Sequence, residues 1–246
     1  MIMISESYLF YLLIPMVAFL YSTVGHGGAS GYLALMAIFS FPSVMMKQTA
    51  LLLNLFVAGI AFYQYFKAGH FNKRLFLYFA LGSIPAAFIG GLLSLDPSLY
   101  NQFLGIILFF AVVRMLFKKE TSDLKTKKIP VLIALLVGVI IGFFSGLIGI
   151  GGGIILTPVI LLFHWGKMKE AAAVSALFIW VNSASGLLGQ LVSGININTN
   201  TFFLVSLAFL GGFLGSYYGS KKWKNRRLEY FLALVLASAG IKLILL

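Results

Sequence analysis

The sequence predicts an all-α, polytopic transmembrane protein built as two inverted repeats. Each repeat holds a glycine-broken helical hairpin followed by three spanning helices. Three observations predict this. Of 246 residues, 61% are hydrophobic and only 10% charged, against about 25% charged in soluble domains. The apolar runs are long enough to cross a hydrocarbon core of about 30 Å. The pattern is also written twice, as five apolar segments, a polar linker and five more apolar segments, with a glycine-rich break at the same place in each half.

Taken in order, the first run is Tyr8–Val24, and it ends in GHGGASGY, Gly25–Tyr32. Ser30–Phe41 follows; its 12 residues make about 18 Å of helix, too little to cross. Leu51–Phe66, Leu75–Leu95 and Tyr100–Phe117 complete the first repeat, residues 1–117, and residues 118–128 form a charged cytoplasmic linker. The second repeat, residues 129–246, begins with Ile129–Ile148 and breaks at GIGGGIIL, Gly149–Leu156. The short Ile154–Phe163 comes next, then Ala171–Val192, Phe202–Ser220 and Leu228–Leu246. The two motifs stand 124 residues apart, so that Gly25, Gly27 and Gly28 fall on Gly149, Gly151 and Gly152.

Charge decides whether each glycine stretch is a kink or a hairpin. If it is a kink, each half crosses four times, and the basic residues divide eight against ten. If it is a hairpin, both its ends face one side and the halves are inverted. Sixteen of the 18 Lys and Arg residues then lie inside, and only Lys47 and Lys242 lie outside. The second split is the one that the positive-inside rule expects. It places both termini outside, along with the loops near Asp96–Pro97 and Gly194–Asn200, which lack Lys and Arg. The N-terminal MIMISESYLF has no basic n-region and does not read as a cleaved leader. The depth of the glycine tips stays open, because the first arm of each hairpin could cross and the second could not.

Small residues recur every four positions at Gly82, Ala86, Gly90 and Ser94, at Gly138, Gly142 and Gly146, and at Gly211, Gly215 and Gly219. Such stripes let helix backbones approach closely in lipid, so these three are read as packing.

Composition excludes several chemistries. With no cysteine, disulfides, thiolate metal sites and cysteine nucleophiles are ruled out. No metal site is expected. The net charge of +12 belongs to short loops rather than to a basic face with interleaved aromatics, so nucleic acid is not an expected partner. No hydrolase motif occurs, and the chain reads as a non-enzyme. The acidic residues Glu6, Asp96, Glu120, Asp123, Glu170 and Glu229 all lie away from the middle of a span. A cationic substrate and a carboxylate proton relay are therefore disfavoured.

An anion suits the chain better. A glycine-rich turn that opens a helix offers free N–H groups and the positive end of the helix dipole. Gly27, Gly28, Ala29 and Ser30 open one returning helix, and Gly151, Gly152, Gly153 and Ile154 open the other. Inversion would bring these ends face to face. His26 is the one ionisable residue placed near the middle of a membrane segment, as an anion contact or a proton-coupling group. Its counterpart is Ile150, so it stands outside the symmetric framework. Asn54 and Asn182 follow the two hairpins as cavity-lining amides, though they do not align with each other. Ser175, Asn182, Ser185 and Gly189 form one helical stripe. His70, His164 and the tryptophans are read as interfacial or packing residues.

VGHGGASGYLALM and GLIGIGGGIILTPVI, with AGHFN and AAAVSALFIWVNSASGLLGQLVSGIN, resemble the sulfite exporter TauE/SafE family of membrane transporters. The resemblance covers essentially the whole chain. It implies a multi-pass protein of the bacterial inner membrane that moves a small anion such as a sulfur oxyanion or organosulfonate. The site it implies comprises Gly25, His26, Gly27, Gly28 and Asn54 with Gly149, Gly151, Gly152, Gly153 and Asn182. The expected partners are the anion, the bilayer and a coupling ion, a proton or another cation. No cofactor is implied. The rival readings are an anion channel with the same ligands and a non-transporting membrane assembly protein.

Overall fold

The computed structural model describes residues 4–116, 126–195, 201–221 and 236–244. Most of the linker, the tip of the 196–200 loop, and residues 222–235 with Trp223 and the basic cluster lie outside them. Among the described residues all regular secondary structure is helical. The elements are α1 (Ile4–Ser22), α2 (Ala29–Ile38), α3 (Ser43–Lys67), α4 (Lys73–Leu92), α5 (Pro97–Leu116), α6 (Val131–Ile148), α7 (Gly153–Leu162), α8 (Met168–Val192) and α9 (Thr201–Lys221). Residues 236–244 are also helical and are called α10. Five helices, α3, α4, α6, α8 and α9, are long and apolar enough to cross a membrane. The chain is thus a polytopic helical membrane protein.

The order of elements repeats. In each half a long apolar helix (α1, α6) is followed by a ten-residue one (α2, α7) and then by a 25-residue one (α3, α8). The packing repeats as well. α4 lies against α6 and α8, and α9 lies against α1 and α3. α3 and α8 pack on each other and are the most enclosed spans.

The small-residue stripes explain the tight pairs. A Cβ on Gly138, Gly142 or Gly146 would clash with the carbonyls of Phe79, Ser83 and Ala87, and one on Gly211, Gly215 or Gly219 with those of Pro15, Phe19 and Thr23. Backbone meets backbone along both seams, as lipid-embedded pairs require. The spacing advances in the same direction on both partners, so α4 runs parallel to α6 and α9 parallel to α1. On α3 and α8 the order reverses: Asn54 meets Ser183, and Gly59 meets Trp180. Those two helices run antiparallel.

The outward faces are apolar. Leu9, Leu12 and Met16 on α1, Leu132, Leu136 and Ile140 on α6, and Leu210 and Leu214 on α9 are exposed at helical spacing. With hydrocarbon as the solvent, these faces need no protein cover.

Candidate functional site

The two breaks share a left-handed glycine at the outer turn and another at the N-cap of the returning helix. α1 ends at Ser22, and the chain turns with His26 N–H donating to Tyr21 O at 3.0 Å. Gly25 (φ +75°) sits on the carbonyl of Ala172, near the start of α8. Gly28 (φ +98°) is the N-cap of α2. In the second half Gly149 (φ +92°) closes α6, its N–H donating to Ser145 O at 2.9 Å, and it sits on Lys47 near the start of α3. Gly152 (φ +79°) is the N-cap of α7. These φ values lie in the left-handed region that glycine adopts without a Cβ penalty.

From each outer turn the chain runs back into the bundle before helix resumes. Gly27 reaches Asn54 and Ile179, and so does Gly151. Asn54 is the twelfth of 25 residues in α3, and Ile179 the twelfth of 25 in α8. The returning helices therefore open halfway along the two longest helices. Neither N-terminus has a side-chain cap. The first N–H groups of a helix have no acceptor within it, and here they are presented in the interior of the protein.

Side chains fill the gap between the tips. A Cβ on Gly151 would lie 2.5 Å from Asn54 Nδ2 and 2.8 Å from Ile179 Cγ2. On the other side of the same amide, a Cβ on Gly27 would clash with Asn54 Oδ1. Asn54 is 1% exposed; its Nδ2 donates to Ser183 Oγ at 3.3 Å, while its Oδ1 has no hydrogen-bond partner. His26, 4% exposed, reaches across from the first tip, and its Nε2 lies 3.0 Å from Gly153 O. Thr157 Oγ1 lies 3.2 Å from the same nitrogen and 2.7 Å from Ser175 Oγ. A cavity of about 10 Å³ is lined by Tyr21, His26, Gly27, Gly28, Ala29, Ser30, Ile150, Ile154 and Ile179. That is room for about one water, so this is a closed arrangement of the tips.

Most of the residues expected from sequence thus converge. His26, Gly27, Gly28, Ala29 and Ser30 line the cavity. Asn54, Gly151 and Gly153 lie against it or against each other. Gly25 and Gly149 shape the outer turns instead, and Gly152 packs on Ile141 and Phe178. Asn182 departs from expectation. It is fully buried, and its Nδ2 donates to Phe178 O at 2.8 Å, one turn back in its own helix. Its Oδ1, like that of Asn54, has no hydrogen-bond partner, but neither glycine tip approaches it as both approach Asn54. The helical stripe on which it was placed cross-links helices: Ser185 donates to Ile84 O at 2.6 Å, and Gly189 packs on Phe88.

Other residues were missed. Tyr21 shares a 2.6 Å hydrogen bond with Ser30, and Tyr32, fully buried with no partner for its hydroxyl, stacks beside Gly28. Helical spacing places Tyr21 about one turn before the tip and Tyr32 about one turn after it, but Tyr in an apolar run reads as packing. Lys47, the fifth residue of α3, was placed in an outside loop by the sequence and is instead part of a span, near its start. It is buried in α3 and donates to the carbonyls of Gly90, Gly91 and Leu93 at 3.0–3.4 Å, closing the end of α4.

Comparison with known proteins agrees with this architecture. The family model described as "Sulfite exporter TauE/SafE" matches residues 10–243. The "Probable membrane transporter protein y4hK" of Sinorhizobium fredii is 36% identical, with 93% of this chain and 94% of that protein covered. The "Probable membrane transporter protein YjnA" of Bacillus subtilis is 23% identical, with 93% and 96% covered. YunE, another probable membrane transporter of that organism, is also 23% identical, with 80% and 79% covered. No solved structure matches the chain.

Proposed function

This chain belongs to the sulfite exporter TauE/SafE family, and from that premise we propose that it is a secondary transporter of a small anion. The anion is a sulfur oxyanion or organosulfonate, and it crosses the bacterial inner membrane by alternating access. One observation carries this reading. Two uncapped helix N-termini, one from each half, open in the protein interior beside the same two side chains, Asn54 and Ile179. Each end brings partial positive charge and free N–H donors to one point. Gly27, Gly28, Ala29 and Ser30 on one side and Gly151, Gly152 and Gly153 on the other supply the backbone donors. Asn54 supplies the side-chain donor.

The closed cavity suits a carrier. An oxyanion of four or more heavy atoms needs the tips to part, and parting them moves one half against the other. The inverted arrangement is supported by α3 and α8, equivalent helices of the two halves that run antiparallel. It puts both termini outside. In this cysteine-free chain, single cysteines at Ser98 and Asn198 are expected to react from outside, and one at Lys127 from inside.

The functional test is substrate counterflow in proteoliposomes, preceded by a thermal-shift screen against sulfite, thiosulfate, sulfonates and carboxylates. A selective ligand raises the melting temperature by mass action. Saturable exchange of that ligand is expected. A steady conductance without exchange would make the protein a channel instead. No stabilising anion and no flux would leave a membrane assembly protein.

A further inference from the structure

We propose that Lys47 and Lys169 are the two gates of the carrier, each tying its moving bundles together at one end. The proposal rests on the anion-carrier reading and names what opens and closes that same site.

The bundles follow from the packing. α1, α2, α3 and α9 pack as one, and α4, α6, α7 and α8 as the other. Each half thus keeps its hairpin and its long helix and lends one helix, α4 or α9, to the bundle of the other. Within a bundle, glycines meet backbone. Gly142 of α6 sits on the carbonyl of Ser83 in α4, and Gly91 of α4 on that of Gly186 in α8. Gly211 and Gly215 of α9 sit on the carbonyls of Pro15 and Phe19 in α1. Such close-packed seams hold each bundle rigid. Among the described residues, the extended helix contact between the bundles is α3 against α8. There glycines meet side chains: Gly59 faces the ring of Trp180, and Gly186 faces Leu51. Side chains repack by changing rotamer, so this seam is the pivot.

Further ties lie at the two ends of the pivot, and they match. α3 and α8 run antiparallel, so their starts lie at opposite ends of a pair about 37 Å long at 1.5 Å per residue. At one end Lys47 of α3 donates to the carbonyls of Gly90, Gly91 and Leu93 at 3.0–3.4 Å, where α4 finishes. The backbone of Lys47 also supports the outer turn at Gly149. At the other end Lys169 of α8 donates to Ser220 O at 2.9 Å and Lys221 O at 2.8 Å, where α9 finishes. Ala172, one turn on, supports the outer turn at Gly25. In both cases the lysine belongs to one bundle, and the helix end and glycine turn belong to the other.

With both ties made, the tips enclose about 10 Å³, too little for an oxyanion. Releasing Lys47 while Lys169 holds lets the bundles turn about α3 and α8 and opens the site at the Lys47 end. Releasing Lys169 while Lys47 holds opens the opposite end. An opening end admits water, which takes over the ammonium and the freed carbonyls, so the tie breaks without leaving a buried orphan. The gates are unequal. Lys47 is 7% exposed and makes three bonds, whereas the bond of Lys169 to Lys221 is exposed. The Lys47 end is therefore held more firmly.

The test reads both ends at once. In this cysteine-free chain, single cysteines replace Ala50 and Ala176, which are fully buried. Ala50 lies between Lys47 and Asn54 on α3, and Ala176 between Ala172 and Ile179 on α8. The full chain in lipid nanodiscs exposes both faces to a charged methanethiosulfonate, and rates are taken well below the melting temperature. Lys47→Met is expected to raise the rate at Ala50 about ten- to hundredfold, the loss of buried bonds to a charged group. It is expected to lower the rate at Ala176 by about twofold or more, because one open state gains population at the expense of the other. Lys169→Met is expected to raise the rate at Ala176 about two- to fivefold. Lys47→Arg and Lys169→Arg keep a cationic donor and are expected to stay closer to wild type than the Met variants. A rise at both ends, or a rise at Ala50 with Ala176 unchanged, would overturn the proposal and leave the lysines as helix caps. Counterflow keeps the two readings apart. Saturable exchange without reciprocal labelling would sink the gates and leave the carrier standing. Absence of flux for every anion of the thermal-shift panel would remove the carrier, and the gates with it, even where labelling is reciprocal.

Discussion

The two glycine tips share left-handed glycines at the outer turn and at the N-cap, and differ in chemistry. Gly25 and Gly28 at the first match Gly149 and Gly152 at the second, each with φ between +75° and +98°. The side chains around them do not match. The first tip carries His26 and a Tyr21–Ser30 hydroxyl pair. At the equivalent positions the second carries Ile150, Ser145 and Ile154. The two halves therefore share the frame that delivers two helix ends to one point. The imidazole and the hydroxyl pair at these positions belong to the first tip alone.

The largest expected effect tests the shared frame. Valine at either N-cap, Gly28→Val or Gly152→Val, forces a β-branched residue to positive φ, at about 1–3 kcal/mol of strain. It also pushes on Tyr32 at the first tip, or on Ile141 and Phe178 at the second. Neither clash is with backbone, so the variants are expected in the membrane at more than about half the wild-type level. Transport should fall to about a hundredth or less in both, since each strain term is worth up to about two decades in an equilibrium. If one tip tolerates valine and the other does not, the frame is not symmetric in function. If both tolerate it, these glycines are packing residues.

The next effect separates the two asparagines. Asn54 stands between the tips, and Asn182 bonds within α8. Asn54→Ala should weaken anion binding about ten- to hundredfold, the range of about 1–3 kcal/mol for a lost buried hydrogen bond. Asn182→Ala should change it less than about threefold. Isothermal titration of the ligand found by thermal shift reads both. Equal losses would return Asn182 to the site and show that the closed arrangement hides its contact.

The contrast between these two amides also marks how far the sequence could be read. The breaks were legible because clustered glycines interrupt an apolar run, unlike glycines spaced four apart, and two such clusters stand in register. Helix ends followed from the apolar runs: Ser30–Phe41 became Ala29–Ile38, and Phe202–Ser220 became Thr201–Lys221. α3 is the informative miss. Its expected apolar run began at Leu51, eight residues after the helix starts, because Lys47, Gln48 and Thr49 interrupt the hydrophobic pattern. They are buried in the structure, and for Lys47 the satisfying partner is the end of α4, more than 40 residues away. The same limit hid the site's details. His26 meets Gly153 across 127 residues, and Asn54 meets Ser183 across 129. Periodicity cannot report such pairs. It could say only that Asn54 and Asn182 were polar residues in lipid, and it weighed them alike.

The smallest effect compares the lysines that close α4 and α9. Each comes from near the start of the long helix of its own half: Lys47 of α3 donates to Gly90, Gly91 and Leu93, and Lys169 of α8 donates to Ser220 O at 2.9 Å and Lys221 O at 2.8 Å. Both place a cation at a helix C-terminus, where the dipole favours it by about 0.3–1 kcal/mol. Their surroundings differ. Lys47 is buried, and Lys47→Met would leave carbonyls without a donor or water to replace it, at about 1–3 kcal/mol. The contact of Lys169 with Lys221 is exposed, so water can take its place, and Lys169→Met should cost less than about 1 kcal/mol. For a chain of this size, about 1 kcal/mol shifts a melting temperature by roughly 2–4 °C. Lys47→Met should therefore melt several degrees lower in nanodiscs, and Lys169→Met within a few degrees of wild type. Because Lys47 also carries the backbone on which Gly149 rests, loosening it should disturb the second tip while leaving the first intact. Cysteine accessibility at Ile150 should rise in Lys47→Met, and accessibility at Ala29 should not. A rise at both positions would mean that the tips move as one body, and the division of labour between them would have to be redrawn.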